Sequence, residues 1–262
     1  HVIAVIERLQ QQALERAKPL LGVGIAVPGV ANQSTGRVSN SVELGWQDLA
    51  LKSIIETRFA IPTCVENDAN AVAIGEWAHG AGRGTQSLAA YVLGVGIGVG
   101  IVHNGDVVHG FRSGAGEIGY LLTDRSSLRR FFSEQGDLES RIDAIATAFV
   151  GAEKRQSQPA SARLLAAAAA GEPEATKAAA ELLDYIALSC GALSTVLDPE
   201  IVVFGGYLSA HSEYVIQEVT SRLVGRIPFP PRLVGGTLGD RAALIGVGEI
   251  ITRQVRWFTF LA

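Results

Sequence analysis

The chain has 262 residues, 48% hydrophobic and 18% charged, which places it among globular proteins with apolar side chain enough for one large domain or two lobes of ordinary size. Its 22 Lys and Arg against 26 Asp and Glu give a net charge of −4, and the best basic cluster (Arg125, Arg129, Arg130) reads as a solvated face, so the chain is a poor candidate for gripping DNA by itself. Cys64 and Cys190 form no CxxC pair, apolar runs such as 88–102 are broken by glycine, and residues 1–12 lack the basic start and cleavage site of a leader, which together argue against a disulfide framework, a membrane span and secretion.

In chain order, residues 2–21 carry apolar side chains at Val2, Val5, Ile6, Leu9, Ala13 and Leu14, near a 3.6 period, and predict a helix ended by Pro19 and Gly22. Residues 22–27 (GVGIAV) read as a short strand closed by a Pro28-Gly29 turn. A second helix is expected over 48–59 and a strand over 63–66. A third helix follows over 69–79, capped by Asn67-Asp68 and closed by the GAGRG of 80–84. Two apolar β-runs, 88–95 and 97–102, precede Asn104-Gly105, a strong hairpin signal, with the return strand starting at Val107-Val108. From 128 to 195 the pattern is helical, with Gly171-Glu172-Pro173 separating two helices. A buried strand over 201–204 ends in Gly205-Gly206, and helices are expected over 214–224 and 241–254. The alternation predicts an α/β chain in two similar lobes.

Three stretches carry chemistry. In CVENDANAVAIGEW (64–77), Asp68 sits where a strand ends and a helix begins, and the helix N-terminus favours its ionised form. Asn67 beside it offers both donor and acceptor. Such a pair suits a hydroxyl-rich ligand, and the carboxylate can take a proton from an attacking hydroxyl; the plain alternative is an Asp N-cap. In LGVGIGVG (93–100), Gly94, Gly96, Gly98 and Gly100 let backbone N–H groups approach a phosphate or sugar. The run lies between β-runs and lacks GxGxxG spacing, so it is no dinucleotide fingerprint; a tight hairpin without a ligand is the alternative. In GFRSGAGEIGYL (110–121), Glu117 is a lone acid among small and apolar residues, either a ligand contact or part of a surface loop.

These stretches, in this order, resemble the ROK family of repressors, open reading frames and sugar kinases, over nearly the whole chain. GVGIAVPGV matches the family's strand and PG turn, Gly45-Trp46 its GW, VENDAN its sugar motif, and 94–116 its glycine signature. LDPEIVVFGG (197–206) resembles the late strand and LGDRAALIGV (238–247) the closing helix. The resemblance implies an α/β, actin/hexokinase-like (ribonuclease H-like) fold with a ligand cleft between two lobes. One lobe would span 1–82, incomplete at its start and completed by the C-terminal helix 240–262; the other would span 83–239. It further implies that Pro28 and Gly29 border a sugar, and that Asn67, Asp68, Glu117 and, after the family's cysteine cluster, Glu139 bind its hydroxyls. In kinase members the residue at Asp68 is the catalytic base, with Mg²⁺-ATP over Gly94, Gly96 and Gly98 and its adenosine near Gly205 and Gly206.

The chain also departs from the family. No DxGGT phosphate loop precedes Gly22, and Val95 stands where kinases usually carry Thr. Tyr120 replaces a zinc-binding histidine, and residues 126–139 hold no CxCGxxGC cluster, so no zinc is expected; Tyr120 could instead stack on a sugar or donate its hydroxyl. Two strands in the first lobe are too few, so a segment before His1 is expected: the phosphate-loop hairpin in a kinase, or that hairpin after a DNA-binding winged helix-turn-helix in a repressor. The leading expectation is the effector-binding region of a ROK-type regulator. It would be cytoplasmic, take a sugar or sugar phosphate without a required cofactor, bind DNA through the upstream segment, form a homodimer or dimer of dimers, and avoid membranes. The alternatives are an ATP- and Mg²⁺-dependent hexose or amino-sugar kinase, and a catalytically dead sugar-binding protein.

Overall fold

The computed structural model describes residues 1–132, 135–151 and 158–259, with side chains described as far as Val255. Parts of the stretches read above at 126–139, 128–195 and 240–262 therefore lie outside the described residues.

Helix α1 (Val2–Glu15) precedes strand β1 (Val23–Val27), a polar ribbon β2 (Val30–Asn32), β3 (Arg37–Ser41) and β4 (Trp46–Leu49), and helix α2 (Leu51–Phe59). Strand β5 (Thr63–Asn67) runs straight into α3 (Asp68–His79), and β6 (Ser87–Leu93), β7 (Ile97–His103) and β8 (Asp106–Val107) form a meander. Helices α4 (Asp137–Val150), α5 (Ala160–Ala169) and α6 (Pro173–Leu197) lead to β9 (Ile201–Gly206), α7 (Ser212–Leu223), β10 (Arg232–Gly235) and α8 (Ala242–Thr259).

Several boundaries depart from the sequence reading. Helix α1 stops at Glu15, before Pro19, because Ala17 turns left-handed at φ 50°. The helix expected from residue 48 starts at Leu51, since 46–49 are drawn into the ribbon as β4. The helical stretch from 128 opens instead with a 3-10 turn, Arg125–Arg129, and among the described residues holds three helices rather than two. The Asn104-Gly105 turn forms as read, both residues having positive φ (51° and 86°), the signature of a type I′ hairpin turn.

The main sheet has the order β10-β9-β6-β7-β8, with β6, β9 and β10 parallel and β7 and β8 antiparallel to their neighbours. Its central strand β6 is buried on both faces, as its near-continuous apolar run requires. Ala89, Tyr91 and Leu93 face a core built with α4, α5, α6 and α7, while Leu88 and Ala90 face α3 and α8. Helix α6 is long and apolar enough to span a bilayer, but Leu182, Leu183, Ile186 and Cys190 are buried in that first core, as suits the central helix of a globular layer.

Among the described residues β1 pairs only with β5, in parallel, and α8 packs over both. A third core joins them to α1, α2 and the ribbon through Ile6, Val27, Val38, Ile55 and Val65. Helices α3 and α8 thus form the seam between the small sheet and the large one. Gly75 and Gly246 let them approach, since a side chain at either would meet the other helix's side of the contact.

Candidate functional site

The parallel register of β1 and β5 sets Val27 beside Asn67, so the Pro28-Gly29 turn lies against the start of α3. Gly29 has φ 96°, and a Cβ there would strike the Asn40 carbonyl, so only glycine fits. Asn67 Oδ1 accepts from the Asn70 N–H at 3.0 Å and its Nδ2 donates to Gly29 O at 3.0 Å. Asn67 is therefore the helix cap, with one N–H and one lone pair left over. The N-cap reading of Asp68 is thereby corrected: Asp68 is the first residue of α3, and its Oδ1 accepts from the Ala69 N–H at 2.8 Å. The backbone N–H groups at the helix start lower its pKa, in the direction expected of a helix N-terminus, while burial raises it by more.

Glu117 reaches the same region from the large sheet. Val99 N donates to Gly116 O at 2.8 Å, and Gly116 has φ 86° with no room for a Cβ against the Val99 carbonyl. This clamps the chain just before Glu117, which enters a 3-10 turn, Ile118–Tyr120. Burial raises the Glu117 pKa, and the Asp68 carboxylate raises it further. Glu139, in the first turn of α4, lies against the hairpin tip and the 3-10 turn: its Oε1 is 3.2 Å from where a Gly96 Cβ would stand and its Oε2 2.8 Å from that of Gly119. Burial raises it, and the Glu117 and Glu43 carboxylates add to the effect despite a bond from Gln135. Burial, then Glu139 and Glu117, likewise raise the Tyr120 hydroxyl.

Sequence reasoning missed Glu43. It lies in the turn between β3 and β4, and its pKa is raised by burial and by Asp68. The only local signal was its place beside Gly45-Trp46. The charges that act most on Glu43, Glu117 and Glu139 are carboxylates, which places these acids and Asp68 within electrostatic reach of one another. Four acids from four separate elements, with hydrogen-bonding capacity unspent, can accept from several hydroxyls at once.

Behind this group lies a saturated layer. Glu66, 2% exposed, takes bonds from Asn67 N, Asn70 Nδ2 and the His109 ring, while Asn70 Oδ1 is left with no partner among the described residues. Asp137, fully buried, accepts from Thr123 N and Oγ1, Ser127 Oγ and Arg141 Nε at 2.6–3.1 Å. That knot fastens the 121–130 segment to α4 in the stretch where the family's cysteine cluster would fall. Among the described residues no group of three or more His, Cys, Asp or Glu could hold a metal ion.

The glycines expected to hold a nucleotide divide. Gly98 and Gly100 face α3, where a Cβ would press on Ala69 and Ala73, so close helix packing accounts for both. Gly206 has φ 61° and abuts the Leu93 carbonyl, and Gly205 abuts Val72 and Val92. Gly94, by contrast, meets nothing nearer than Gly96 O at 3.9 Å, and Val95 at the hairpin tip is 72% exposed. Because β6 and β9 pair Leu93 with Gly206, the two glycine stretches lie side by side. Of these positions, Gly94 leaves most room for a phosphate or nucleotide, but its neighbour Val95 supplies no hydroxyl.

Comparison with known proteins places this geometry in a family. A glucokinase of Halalkalibacterium halodurans is 30% identical over 256 residues, covering 90% of this chain and 77% of its own. A putative xylose repressor of Caldicellulosiruptor sp. is 30% identical over 274 residues, covering 97% of this chain and 68% of its own. The ROK hexokinase structure from Thermus thermophilus superposes with a TM-score of 0.73 at 27% identity, over 93% of this chain and 83% of that one, and shares its two-lobed actin-like fold. Both repressors and sugar kinases are thus among its relatives. With residues 1–254 matching the ROK family, the chain belongs to that family.

Proposed function

We propose that the chain is the sugar-binding region of a ROK-type transcriptional regulator. The observation that carries the sugar reading is the convergence of Glu43, Asp68, Glu117 and Glu139, whose charges act on one another, joined by the spare donor and acceptor of Asn67. Pyranose hydroxyls each donate and accept, and a site built to pair them rejects analogues that leave its own groups unpaired. Pro28-Gly29 stands beside Asn67, and the half-exposed Tyr120 lies within electrostatic reach of Glu117 and Glu139. The regulator reading is favoured by the exposed Val95 at the hairpin tip, where a phosphate-binding hydroxyl would be wanted, and by likeness to the putative xylose repressor. In this reading a sugar shifts the angle between lobes, and in a dimer this changes the spacing of DNA-binding heads carried outside the chain.

Sugar kinase activity is the second reading, favoured by the open space at Gly94 and by likeness to the glucokinase. In it Asp68 would take the proton of the attacking hydroxyl, its raised pKa suiting that task, and ATP with Mg²⁺ would supply the phosphoryl group. Calorimetry with D-glucose and D-xylose, paired with an assay of ADP release in ATP and Mg²⁺, separates the two. The regulator reading expects binding of a sugar without ADP release. ADP release abolished by Asp68→Asn would establish the kinase, and failure of both sugars to bind would count against the sugar site.

A further inference from the structure

Glu66 and His109 are not themselves among the proposed sugar contacts, yet both halves of the site meet through them. Glu66 lies on β5, one residue before Asn67, and is almost wholly buried. Its Oε1 accepts from the Asn67 N–H at 2.9 Å and from Asn70 Nδ2 at 3.0 Å, holding the strand-to-helix turn that carries Asn67 and Asp68. Its Oε2 lies 2.8 Å from His109 Nε2. His109 stands just past β8, on the chain that leads from the large sheet to Glu117.

That chain has little freedom once His109 is held. The His109 carbonyl accepts from Ala115 N at 3.0 Å, closing the loop 109–115, and Val108 N donates to Ile101 O at 2.8 Å, tying the loop's start to β7. Gly116 is clamped to Val99 at the other end. The imidazole is therefore the side chain that anchors the Glu117 loop to the small sheet, and Glu66 is the group it anchors to. A buried carboxylate is a poor device for stability alone, since apolar replacements of buried ion pairs are often neutral or stabilising. One carboxylate with an oxygen committed to each half of a site is, however, a direct way to keep two halves in register.

We propose that Glu66 and His109 are positioning residues, forming a latch that holds the Asp68 turn and the Glu117 loop in their binding geometry before a ligand arrives. The inference rests on reading the Asp68 and Glu117 carboxylates as sugar contacts. Because the bond to Glu66 Oε2 needs a proton on Nε2, the latch works with either the neutral or the charged ring, and a glutamine, which also donates from its tip, substitutes for it.

The test uses the full chain with His109→Phe, which keeps ring volume and removes the donor, and His109→Gln, which keeps a donor. Calorimetry with D-glucose and D-xylose should show His109→Phe binding the preferred sugar about 10- to 100-fold more weakly, by analogy with the loss of an outer-layer orienting partner at a metal site, with His109→Gln recovering most of the loss. Hydrogen exchange of the unliganded protein should quicken over both 66–70 and 110–119 in His109→Phe and in neither segment of His109→Gln. A merely structural role would lower the melting temperature and leave the affinity of the folded protein as it was, and that result overturns the latch. Should His109→Phe not fold, His109→Ala reads the same loss. If the unmutated chain binds neither sugar, the sugar reading fails, and the latch then stands or falls on whether exchange quickens in both segments.

Discussion

Two sets of carboxylates, in places only two residues apart (Glu66 and Asp68, Asp137 and Glu139), differ in almost every physical respect. Glu66, Glu76 and Asp137 are 2%, 1% and 0% exposed, and each is saturated with donors: Glu76 alone bonds Ala81 N, Leu238 N and Thr237 Oγ1. Glu43, Asp68, Glu117 and Glu139 are more exposed and have few donors; burial pushes the pKa of each up, and neighbouring carboxylates add to it for Glu43, Glu117 and Glu139. Burial also opposes ionisation of Asp137, but bonds from Ser127, Thr123 and Arg141 outweigh it and hold the carboxyl well below the usual range. The lesson is that depth does not mark a ligand-binding acid. Unspent hydrogen-bonding capacity does, because a scaffold carboxylate must be satisfied by the protein and a binding carboxylate must not be.

The comparison breaks most visibly at Asp137. Asp137→Ala should destabilise the chain by about 3–5 kcal/mol in urea unfolding, because it strands the Arg141 guanidinium and two hydroxyls in a buried knot. A loss below about 1 kcal/mol would mean that the knot is ornamental and that the division into saturated and unsaturated acids has no energetic content.

Glu117→Gln tests the other set and should split the two observables. Sugar binding should weaken by roughly 1.5–3 kcal/mol, the worth of a charge-assisted hydrogen bond. The melting temperature of the unliganded chain at pH 7 should hold or rise by about 1–3 °C, since a partly buried charge facing another carboxylate is removed. The pH dependence has a definite sign. A carboxyl whose pKa is raised by folding binds more protons in the native state, so its contribution to stability is fully present below the unfolded value and is lost as pH rises through the raised one. Melting temperatures of the unmutated chain relative to Glu117→Gln should therefore improve as pH falls from 7 toward the ordinary carboxylate range. The reverse trend would mean that Glu117 has an opposite charge for a partner.

The smallest effect is expected at Gly94. A methyl group there meets open space, so Gly94→Ala should change stability by no more than about 0.5 kcal/mol, as for an ordinary surface site. A large loss of stability would place Gly94 with Gly98 and Gly100 as a packing glycine and remove the opening on which the kinase reading draws.

Much of the fold was legible because it is encoded locally. Asn67 announced the start of α3, Asn104-Gly105 the β7–β8 turn, Pro173 the first turn of α6, and the apolar run at 88–95 a strand, which ends at Leu93. The ribbon β2–β4 was not legible, since its short strands (VAN, RVSNS, WQDL) lack apolar alternation and gain their pairing from one another. Strand β10 follows two prolines and exists because β9 offers it a parallel edge. In the candidate site, Asn67, Asp68 and Glu117 stood out by motif, whereas Glu43 sat in an unremarkable turn.

What the sequence determined by itself was the kind of those elements that carry a local signal, the turns that bound them and the presence of acids at strand ends, set by steric and capping preferences within a few residues. Only the tertiary structure decided which acids are spent and which are free. Glu66 and Asp68 are two positions apart, at the end of β5 and the start of α3, yet one finds Asn67, Asn70 and His109 while the other acts on Glu43 and Glu117. The partner that separates their roles, His109, comes from another sheet, and no spacing along the chain records which side chain a packed fold will bring within hydrogen-bonding reach.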